Sequence, residues 1–376
     1  MKTLLKLVSV ILLISLVLVS AASCSGDKEE ESISETESET ETEKVTETET
    51  ETETEEENIV FVPENINPLT GLEASYDVSS SRPLGVMFNN IWDALPQVGV
   101  SKCDVLFECL AEGGITRLFG LFSEYQDLGV VGSVRSARPY YIDFAQMFDA
   151  IYCHAGGSED AYSQIAYRGI DHIDGVRYDP LGVYYRDEER MKTMLIEHTL
   201  MTSGEGLIRT IDYCGYRTEL RDGFEYPYVF PEYGTEITLD GGESLHIHLP
   251  ISYYQTVDYQ YDAESKLYYR FQYNGDEHID GENGKQLAFT NVIVIFCESY
   301  VYDDYGRLKV GTVGEGDGYL ATGGKYIPIK WLRPSADGNG LFVRADNGEV
   351  ITLNRGKTMI NVCSTDIIND ISMNQN

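Results

Sequence analysis

The chain has 376 residues, enough for more than one folded domain, and its 62 acidic and 28 basic side chains give a formal net charge of −34 at pH 7. Such an acidic chain is repelled by phosphate backbones, so the composition argues against nucleic acid as a partner. The sequence contains no Walker loop, no HExxH pair and no Gly-x-Ser-x-Gly elbow. We therefore expect neither a bound metal nor a cofactor.

Residues 1–23 have the pattern of a secretory signal peptide. Lys2 and Lys6 precede a short apolar run that ends in small residues directly before Cys24. This arrangement resembles the lipobox of bacterial lipoproteins, which implies cleavage before Cys24 and lipid attachment to it. The alternatives are an ordinary secreted protein or a signal anchor. The predicted location is the extracytoplasmic face of the bacterial cell membrane, with the lipid bilayer as partner through acylated Cys24.

Residues 24–58 are predicted to form a disordered tether. From Ser25 to Asn58 the chain is mostly Glu, Thr and Ser, with 16 acidic and 2 basic residues. Such a segment cannot bury enough apolar surface to offset the entropy cost of ordering it. The remaining residues, 59–376, carry 46 acidic and 24 basic side chains. An anionic ligand of this part would need a local group of arginines.

Residues 59–213 are predicted to form an α/β domain, a layered sheet with helices. Helices are expected from Pro139 to Ala150 and from Glu159 to Tyr167, the second capped by Ser158. The segment 102–112 fits either a helix or a strand. Apolar runs predict strands at 84–88, 116–122, 130–134 and 151–154. Strands that alternate with glycine turns and helices are typical of a layered α/β architecture.

After a linker at 214–234, residues 235–365 are predicted to form a mainly antiparallel β domain, a small barrel or sandwich, followed by a tail at 366–376. Tyrosine-rich segments at 253–262 and 266–273 alternate as strands do, and the apolar run at 291–296 predicts a central strand. The glycine-rich stretch 314–318 lacks the ligand spacing of a calcium loop and is expected to be an ordinary loop. A further strand is expected at 349–353.

Six cysteines follow Cys24. An even number outside the cell permits disulfides. Four of them have apolar neighbours and no CxxC pair occurs, which favours buried free thiols over disulfides. The six are Cys103, Cys109, Cys153, Cys214, Cys297 and Cys363.

Three arginines indicate an anion site. Arg135 and Arg138 lie just before Pro139, where a strand gives way to a helix, and Arg117 begins a neighbouring strand. Guanidinium groups next to a helix N-terminus suit a phosphate or a carboxylate. The alternative is that these arginines pair with acidic residues of the same region and hold the loops: Glu108, Glu112, Asp143 and Asp149.

His154, Gly156 and Gly157 complete the predicted ligand site. They follow the strand at 151–154 and combine a titratable ring with backbone donors. His154 is the candidate general base, and the alternative is a histidine whose ring is satisfied within the loop. Elsewhere, His246 and His248 share one strand face, but two ligands make a poor metal site. Nothing in the sequence orients Glu197 and His198 for hydrolysis.

Several motifs resemble the YerB-like lipoproteins of Gram-positive bacteria: 67–72 (NPLTGL), 112–117 (EGGITR), 134–139 (VRSARP), 154–157 (HAGG), 311–319 and 354–358. The resemblance covers nearly everything beyond residue 65 and implies an envelope protein of two domains with no assigned activity. Family members carry small apolar residues at the places of Cys103 and Cys109, which favours free thiols there. This chain has His198-Thr199 where the family tends to have His-Asn.

A weaker resemblance concerns the LytR-CpsA-Psr proteins, which attach glycopolymers to the cell wall and hold a polyprenyl pyrophosphate with arginines. A strand ending in Gly-Val-Met-Phe-Asn, an arginine pair before a helix and Ala-Gly-Gly before a second helix carry it. The chain has Asn89 and Asn90 where those proteins have aspartates. Fold likeness alone does not transfer their activity.

These observations support one leading hypothesis and two alternatives. The leading hypothesis is a membrane-anchored lipoprotein whose arginine cluster binds an anionic cell-envelope ligand, either a wall polymer or a lipid phosphate. The first alternative is an enzyme acting on lipid-linked or cell-wall glycans, with His154 as base. The second is a protein-interaction module that presents the tyrosine-rich strands of the second half.

Overall fold

Strands dominate the folded part of the chain. The computed structural model describes residues 60–375, so the predicted signal peptide, Cys24 and the predicted tether lie outside the described residues. Within residues 60–375 there are three α-helices: α1 (Pro139–Met147), α2 (Glu159–Arg168) and α3 (Gly204–Cys214).

The described residues also contain 21 strands, among them some of only two residues. Those of the first half are β1 (Leu84–Asn89), β2 (Val105–Leu110), β3 (Thr116–Phe122), β4 (Val130–Gly132), β5 (Ile151–His154), β6 (His172–Asp174), β7 (Tyr185–Arg186) and β8 (Leu200–Ser203). Those of the second half are β9 (Gly242–Glu243), β10 (His246–Leu249), β11 (Val257–Asp262), β12 (Leu267–Gln272), β13 (Asp276–Glu277), β14 (Ala288–Phe289), β15 (Asn291–Cys297), β16 (Ser299–Val301), β17 (Leu308–Val310), β18 (Gly314–Thr322), β19 (Lys325–Arg333), β20 (Leu341–Arg344) and β21 (Thr358–Ser364).

One large sheet runs through both halves of the described chain. Its strand order is β20-β19-β18-β15-β21-β2-β3-β1-β5-β6, and β9 pairs with β19 as an eleventh strand. The last strand in sequence, β21, pairs in parallel with β15 on one side and with β2 on the other. The predicted domains at 59–213 and 235–365 therefore share one sheet, and the described residues belong to one compact unit. Their boundaries as separate folding units stay a prediction.

The large sheet is covered on both faces, because successive strand residues point to opposite sides. In β1, Met87 contacts the core under α1 and α2, whereas Val86 and Phe88 face the opposite core. Beneath the helices, the Phe107 ring stacks on the Phe144 ring at 4.7 Å. The middle of the molecule is therefore a three-layer arrangement of helices, sheet and a second covering layer.

The second covering layer is mainly a five-stranded antiparallel sheet of β10-β11-β12-β13, with β14 paired to β12. The tyrosine-rich strands β11 and β12 belong to it, and Tyr259 and Tyr268 are fully buried in the core. The Tyr259 hydroxyl donates to the Asn361 carboxamide of β21 at 2.9 Å. A three-stranded sheet, β4-β8-β7, and a two-stranded sheet, β16-β17, account for the remaining strands.

The predicted fold class is confirmed: an α/β first half and a mainly antiparallel β second half. The helices begin where expected, and the Ser158 hydroxyl accepts a hydrogen bond from the Ala161 amide at 3.2 Å as the N-cap of α2. The ambiguous segment 102–112 contains the strand β2. Two local predictions were wrong. Residues 314–318 belong to β18, and residues 349–353 make isolated bridges at Val350 and Thr352 in place of a strand.

The cysteines of the folded part are unpaired. All six cysteines beyond Cys24 carry free thiols, five of them buried and Cys214 partly exposed. Burial raises the pKa of the Cys103 and Cys297 thiols to about 12, which keeps them protonated and unreactive. Between residues 60 and 375, no helix is both long and apolar enough to cross a membrane.

Candidate functional site

The carboxyl ends of the parallel strands β1, β5 and β6 lie at one edge of the large sheet. Asn89 ends β1, His154 ends β5 and Asp174 ends β6. Arg117 reaches the same edge because β3 runs antiparallel to β1 and pairs it with Asn89. In open α/β sheets, ligands bind outside the carboxyl ends of the strands. The predicted site residues therefore lie where this architecture places ligand sites.

Two loops at this edge lie side by side. The amide of Ala155 donates to the carbonyl of Arg135 at 3.0 Å, and the amide of Ala137 donates to the carbonyl of Gly156 at 2.9 Å. Arg138 has extended backbone angles and occupies the N-cap position of α1, with a proline as the first helical residue. The loop pair thus brings the helix N-terminus and the three predicted arginines to one place. We call Arg117, Arg135 and Arg138 the arginine cluster.

Glu112 is the main acidic partner of the arginine cluster. Arg138 binds this carboxylate in a bidentate manner: Nε contacts Oε1, and Nη2 donates to Oε2 at 2.9 Å. Arg117 Nη2 donates to Oε2 at 3.3 Å. Burial disfavours the charged carboxylate, but the hydrogen bonds from Arg138 and the charge of Arg117 outweigh it, so the pKa of Glu112 is lowered. Glu112 is therefore ionised and shared between two guanidinium groups.

Arg117 is almost completely buried and incompletely partnered. It is 4% exposed, and its Nη1 donates to the carbonyl of Ser136 at 2.9 Å. Its Nε has no hydrogen-bond partner among residues 60–375. Burial, together with the charge of Arg138, lowers the pKa of Arg117 to about 10. A buried cation with an unused donor is stabilised by a further negative group.

Arg135 is the least engaged member of the cluster. Its Nη2 lies 3.7 Å from the Glu197 carboxylate, which is 54% exposed, and its buried Nε has no hydrogen-bond partner in the described part of the chain. Burial, opposed by Glu197 and reinforced by the charges of Arg138 and Arg186, lowers its pKa. The cluster thus sets three guanidinium groups against two carboxylates and keeps a local positive charge in an acidic protein.

His154 lies at the edge but is enclosed. The ring is 0% exposed, its Nδ1 lies 2.8 Å from the Gly156 carbonyl, and its Nε2 lies 3.0 Å from His172 Nδ1. These contacts assign the proton to Nδ1 of His154, with Nε2 accepting from His172. Burial lowers the pKa of His154 to about 4, against the opposing charge of Asp174. The ring holds the loop and presents no free nitrogen to a ligand.

Gly156 and Gly157 also serve the loop. The amide of Gly156 donates to Asp174 Oδ1 at 2.6 Å, and its φ of +73° is a conformation that favours glycine. A Cβ on Gly157 would approach the Cβ of Ala137 to 3.3 Å. The two glycines therefore allow the two loops to pack closely together, and their role is to support the position of the arginine cluster.

A histidine that the sequence analysis discounted lies beside the cluster. His198 is buried, and its Nδ1 accepts from the Asn89 carboxamide at 2.9 Å. Its Nε2 lies 3.7 Å from the same Glu197 carboxylate that faces Arg135. Burial and the charge of Arg135 lower the pKa of His198, so the ring is neutral at pH 7. Nothing local in the sequence links this residue to β1.

A buried polar network behind the edge connects the two halves of the chain. Glu108 of β2 and Arg270 of β12 are fully buried, and Arg270 Nη2 donates to the Glu108 carboxylate at 2.6 Å. Glu108 also accepts from the Thr116 hydroxyl at 2.6 Å. Asn90 and Gln255 also donate to the Glu108 carboxylate. The network continues through Gln272, which accepts from Arg270, and through Gln97, which donates to Asn90 and contacts His278. The sequence indicates this pair only by placing one charged residue in each of two otherwise apolar or aromatic strands, Glu108 in β2 and Arg270 in β12.

Metal ligands and cavities do not add to this edge. Residues 60–375 contain no group of three or more His, Cys, Asp or Glu side chains arranged to hold a metal ion. Four cavities of about 320 to 490 Å³ are lined by residues outside the arginine cluster. The chemistry of the edge is therefore that of its three guanidinium groups, of which Arg117 is buried and Arg135 and Arg138 are partly exposed.

Comparison with known proteins identifies the family. Residues 69–217 match the family described as "Protein of unknown function (DUF3048) N-terminal domain", and residues 247–360 match its C-terminal domain. "Putative lipoprotein YerB" of Bacillus subtilis (strain 168) is 30% identical over 298 residues, which is 78% of this chain and 85% of the relative. The chain belongs to the YerB-like family.

The YerB-like fold is also known from a solved structure. The crystal structure of YerB protein from Bacillus subtilis matches with a TM-score of 0.69 and 28% identity, over 82% of this chain and 98% of that chain. The resemblance seen in the sequence motifs is confirmed. The family has no assigned biochemical activity, so its name gives no reaction for the arginine cluster.

Proposed function

We propose that this YerB-like protein is a lipid-anchored extracytoplasmic protein that binds an anionic cell-envelope ligand at the arginine cluster. One observation carries the proposal: Arg117, Arg135 and Arg138 meet at the carboxyl edge of the sheet with only two carboxylates among them. The folded part around them is strongly acidic, so a retained positive site points to a negative ligand. A phosphate group is the best match, because the planar forks of arginine bind its oxygens in pairs.

Arg135 and Glu197 define where the ligand enters. The pair is loose at 3.7 Å and Glu197 is exposed, so a phosphate oxygen can replace this carboxylate at little cost. Neither Glu112 nor Glu197 accepts a hydrogen bond from Nε of Arg117 or Arg135, so each of these guanidinium groups keeps one donor, buried in the structure, that an anion could use. His154 and the two glycines hold the loops and do not contact the ligand.

The test is binding of inorganic pyrophosphate to residues 58–376, which form one compact unit. Titration calorimetry should show binding, and Arg135→Ala with Arg138→Ala should weaken it about tenfold or more, because each charge-assisted hydrogen bond is worth about 1.5–3 kcal/mol. The matched control is Arg344→Ala, which removes an exposed arginine paired with Asp346 at 2.9 Å. Equal affinity of the double variant and the native protein would refute the site.

Membrane anchoring depends on Cys24 and is tested separately. Replacing Cys24 by alanine removes the residue to which lipid would be attached, so the protein should appear in the culture medium and fail to incorporate labelled fatty acid. Cys214→Ala should leave anchoring unchanged, since that thiol belongs to the folded part. Retention of the Cys24→Ala protein in the membrane fraction, with its apolar leader still attached, would instead favour a signal anchor.

A further inference from the structure

One of the four cavities lies between two surface segments, away from the arginine cluster. One is the 3₁₀ turn Trp92–Ala94 with the residues that follow it, and the other is the β12–β13 hairpin. The cavity has a volume of about 350 Å³, within the range of small-molecule sites. Its apolar walls are Leu95, Pro96 and Ile279, and Gln272 and His278 also line it.

Aromatic rings at right angles form one side of this cavity. The Trp92 ring is edge-on to the Tyr273 ring, with centroids 5.3 Å apart and planes at 87°. Trp92 is 48% exposed, so much of its ring remains open to solvent. The Tyr254 ring is also perpendicular to the Tyr273 ring, with centroids 5.7 Å apart. The Tyr273 hydroxyl donates to the carbonyl of Asn90, which fixes the central ring.

The rim of the cavity is acidic. Asp276 and Glu277 line it, and Asp93 is close enough for its charge to act on Tyr273. Among residues 60–375, no basic side chain lies within ion-pair distance of these three carboxylates. Two arginines lie behind the wall and are held by other partners, and Arg270 also contacts the lining residues Gln272 and His278. Arg270 pairs with Glu108, and Arg190 donates to backbone carbonyls of the 94–96 segment.

We propose that this cavity binds the ammonium group of a small organic cation, between the Trp92 and Tyr273 rings and the carboxylate of Asp276, whose strand partner Gln272 also lines the cavity, with Glu277 adding negative charge at the rim. Perpendicular aromatic faces with nearby carboxylates are the chemistry that recognises alkylated ammonium groups. A metal ion is a poorer match, because the described carboxylates are not grouped to coordinate one. The site is independent of the arginine cluster and of its anionic ligand.

Tryptophan fluorescence provides the assay, because the sequence contains two tryptophans. Trp331 is buried and its indole donates to the carbonyl of Phe296 at 2.9 Å, so a change on ligand addition reports on Trp92. Residues 58–376 are titrated with tetramethylammonium chloride and with methylammonium chloride, replacing sodium chloride at constant ionic strength. A saturable change with either salt is expected, and the stronger response shows whether a quaternary or a primary amine fits. No change beyond that of sodium chloride would overturn the proposal.

Two variants separate the rings from the charges. Asp276→Asn with Glu277→Gln should weaken binding severalfold, whereas the matched control Glu264→Gln with Asp304→Asn, which removes two exposed charges elsewhere, should not. Trp92→Leu keeps an apolar wall but removes the ring, and calorimetry should show affinity reduced about two- to fivefold. An unchanged affinity in both cavity variants would overturn the proposal, even if the salt titration had shown saturation.

Discussion

At the scale of single residues, His154 shows how a reactive side chain becomes a structural one. Its ring is fully buried and both nitrogens are engaged, one with the Gly156 carbonyl and the other with His172. Asp174 fixes the same loop through the amides of Gly156 and Val176. A ring in such surroundings stays neutral, because a second proton would break one of its hydrogen bonds and place a charge in the core.

This arrangement predicts a specific pH dependence of stability. The pKa of His154 is about 4 when folded and about 6.5 when unfolded. Well above pH 6.5, His154 is neutral in both the folded and the unfolded chain, so it adds no pH dependence to the free energy of unfolding. As the pH falls from 6.5 toward 4, the unfolded chain binds the extra proton and the folded protein loses stability at about 1.4 kcal/mol per pH unit. Urea unfolding of His154→Asn should therefore show a shallower loss of stability than the native protein between pH 6 and pH 5.

The comparison needs a folded variant and a clear contrary result. Circular dichroism at pH 8 establishes that His154→Asn is folded, although its stability there should be lower because the loop loses a hydrogen bond. Burial also lowers the pKa values of His172, His198 and His278, so some acid sensitivity remains in the variant. If stability fell with pH equally steeply in the two proteins, the pKa of His154 would not be lowered by folding. That result would favour the general-base hypothesis.

Sequence reasoning found part of the site because part of it is local. Arg135 and Arg138 stand at a strand-to-helix junction, and glycines follow His154, so a turn at a sheet edge could be predicted from neighbours in the chain. Glu197 and His198 reach the cluster only through folding, since about 60 residues separate them from Arg135. The choice between an anion site and internal ion pairs depended on such distant partners. The structure shows internal ion pairs, close between Arg138 and Glu112 and longer between Arg135 and Glu197, and the anion site stays a prediction.

At the scale of elements, β18 shows why a glycine-rich stretch can be a strand. Gly316 passes close to the Trp331 indole, and Gly318 lies opposite Ile295 of β15 and Ile329 of β19. A Cβ on Gly318 would lie 2.5 Å from the backbone oxygen of Val294, which is closer than side chains pack. The glycines are therefore required by close approach of neighbouring strands and do not indicate a turn. Glycine composition alone does not separate a strand from a loop, which is why the predicted loop at 314–318 was wrong.

The close packing at Gly318 gives a prediction with a matched control. Gly318→Ala should lower the free energy of unfolding by about 2–3 kcal/mol, because β15 must move to relieve the clash. Gly311→Ala adds the same methyl group at a position where the nearest atom, the Glu298 oxygen, is 3.6 Å away. Chemical denaturation of both variants measures the difference. Equal stability of the two would show that β15 and β18 are not packed as described.

Local signals located the elements better than they located their partners. Ser158 marks the start of α2 because its hydroxyl caps the helix, and the apolar run at 291–296 marks β15 because both of its faces are buried. Neither signal says which strands lie beside β15. The pairing of β21 with β2 joins residues about 250 positions apart in the chain, and no periodicity within either strand records it.

At the scale of the whole molecule, the two halves are joined by more than a chain connection. β21 lies between β15 and β2, so its backbone hydrogen bonds serve strands of both halves. The buried pair of Glu108 and Arg270 ties β2 to β12 of the second sheet. If either half of the chain unfolds, β21 loses its hydrogen-bonded neighbour on that side, and its backbone groups there become exposed to solvent. We therefore expect residues 58–376 to unfold as one cooperative unit.

Arg270→Met tests this cooperativity. The change leaves Glu108 as a buried charge without its cation, and loss of one partner of a buried pair destabilises a protein by about 3–5 kcal/mol. Because Glu108 belongs to the first half and Arg270 to the second, scanning calorimetry should show a single transition that moves to lower temperature without splitting. Lys330→Met, at an exposed pair with Asp317, should leave the transition nearly in place, since solvent screens that pair. Two transitions, with only the one from the second half displaced, would show instead that the shared sheet separates into independent domains on heating.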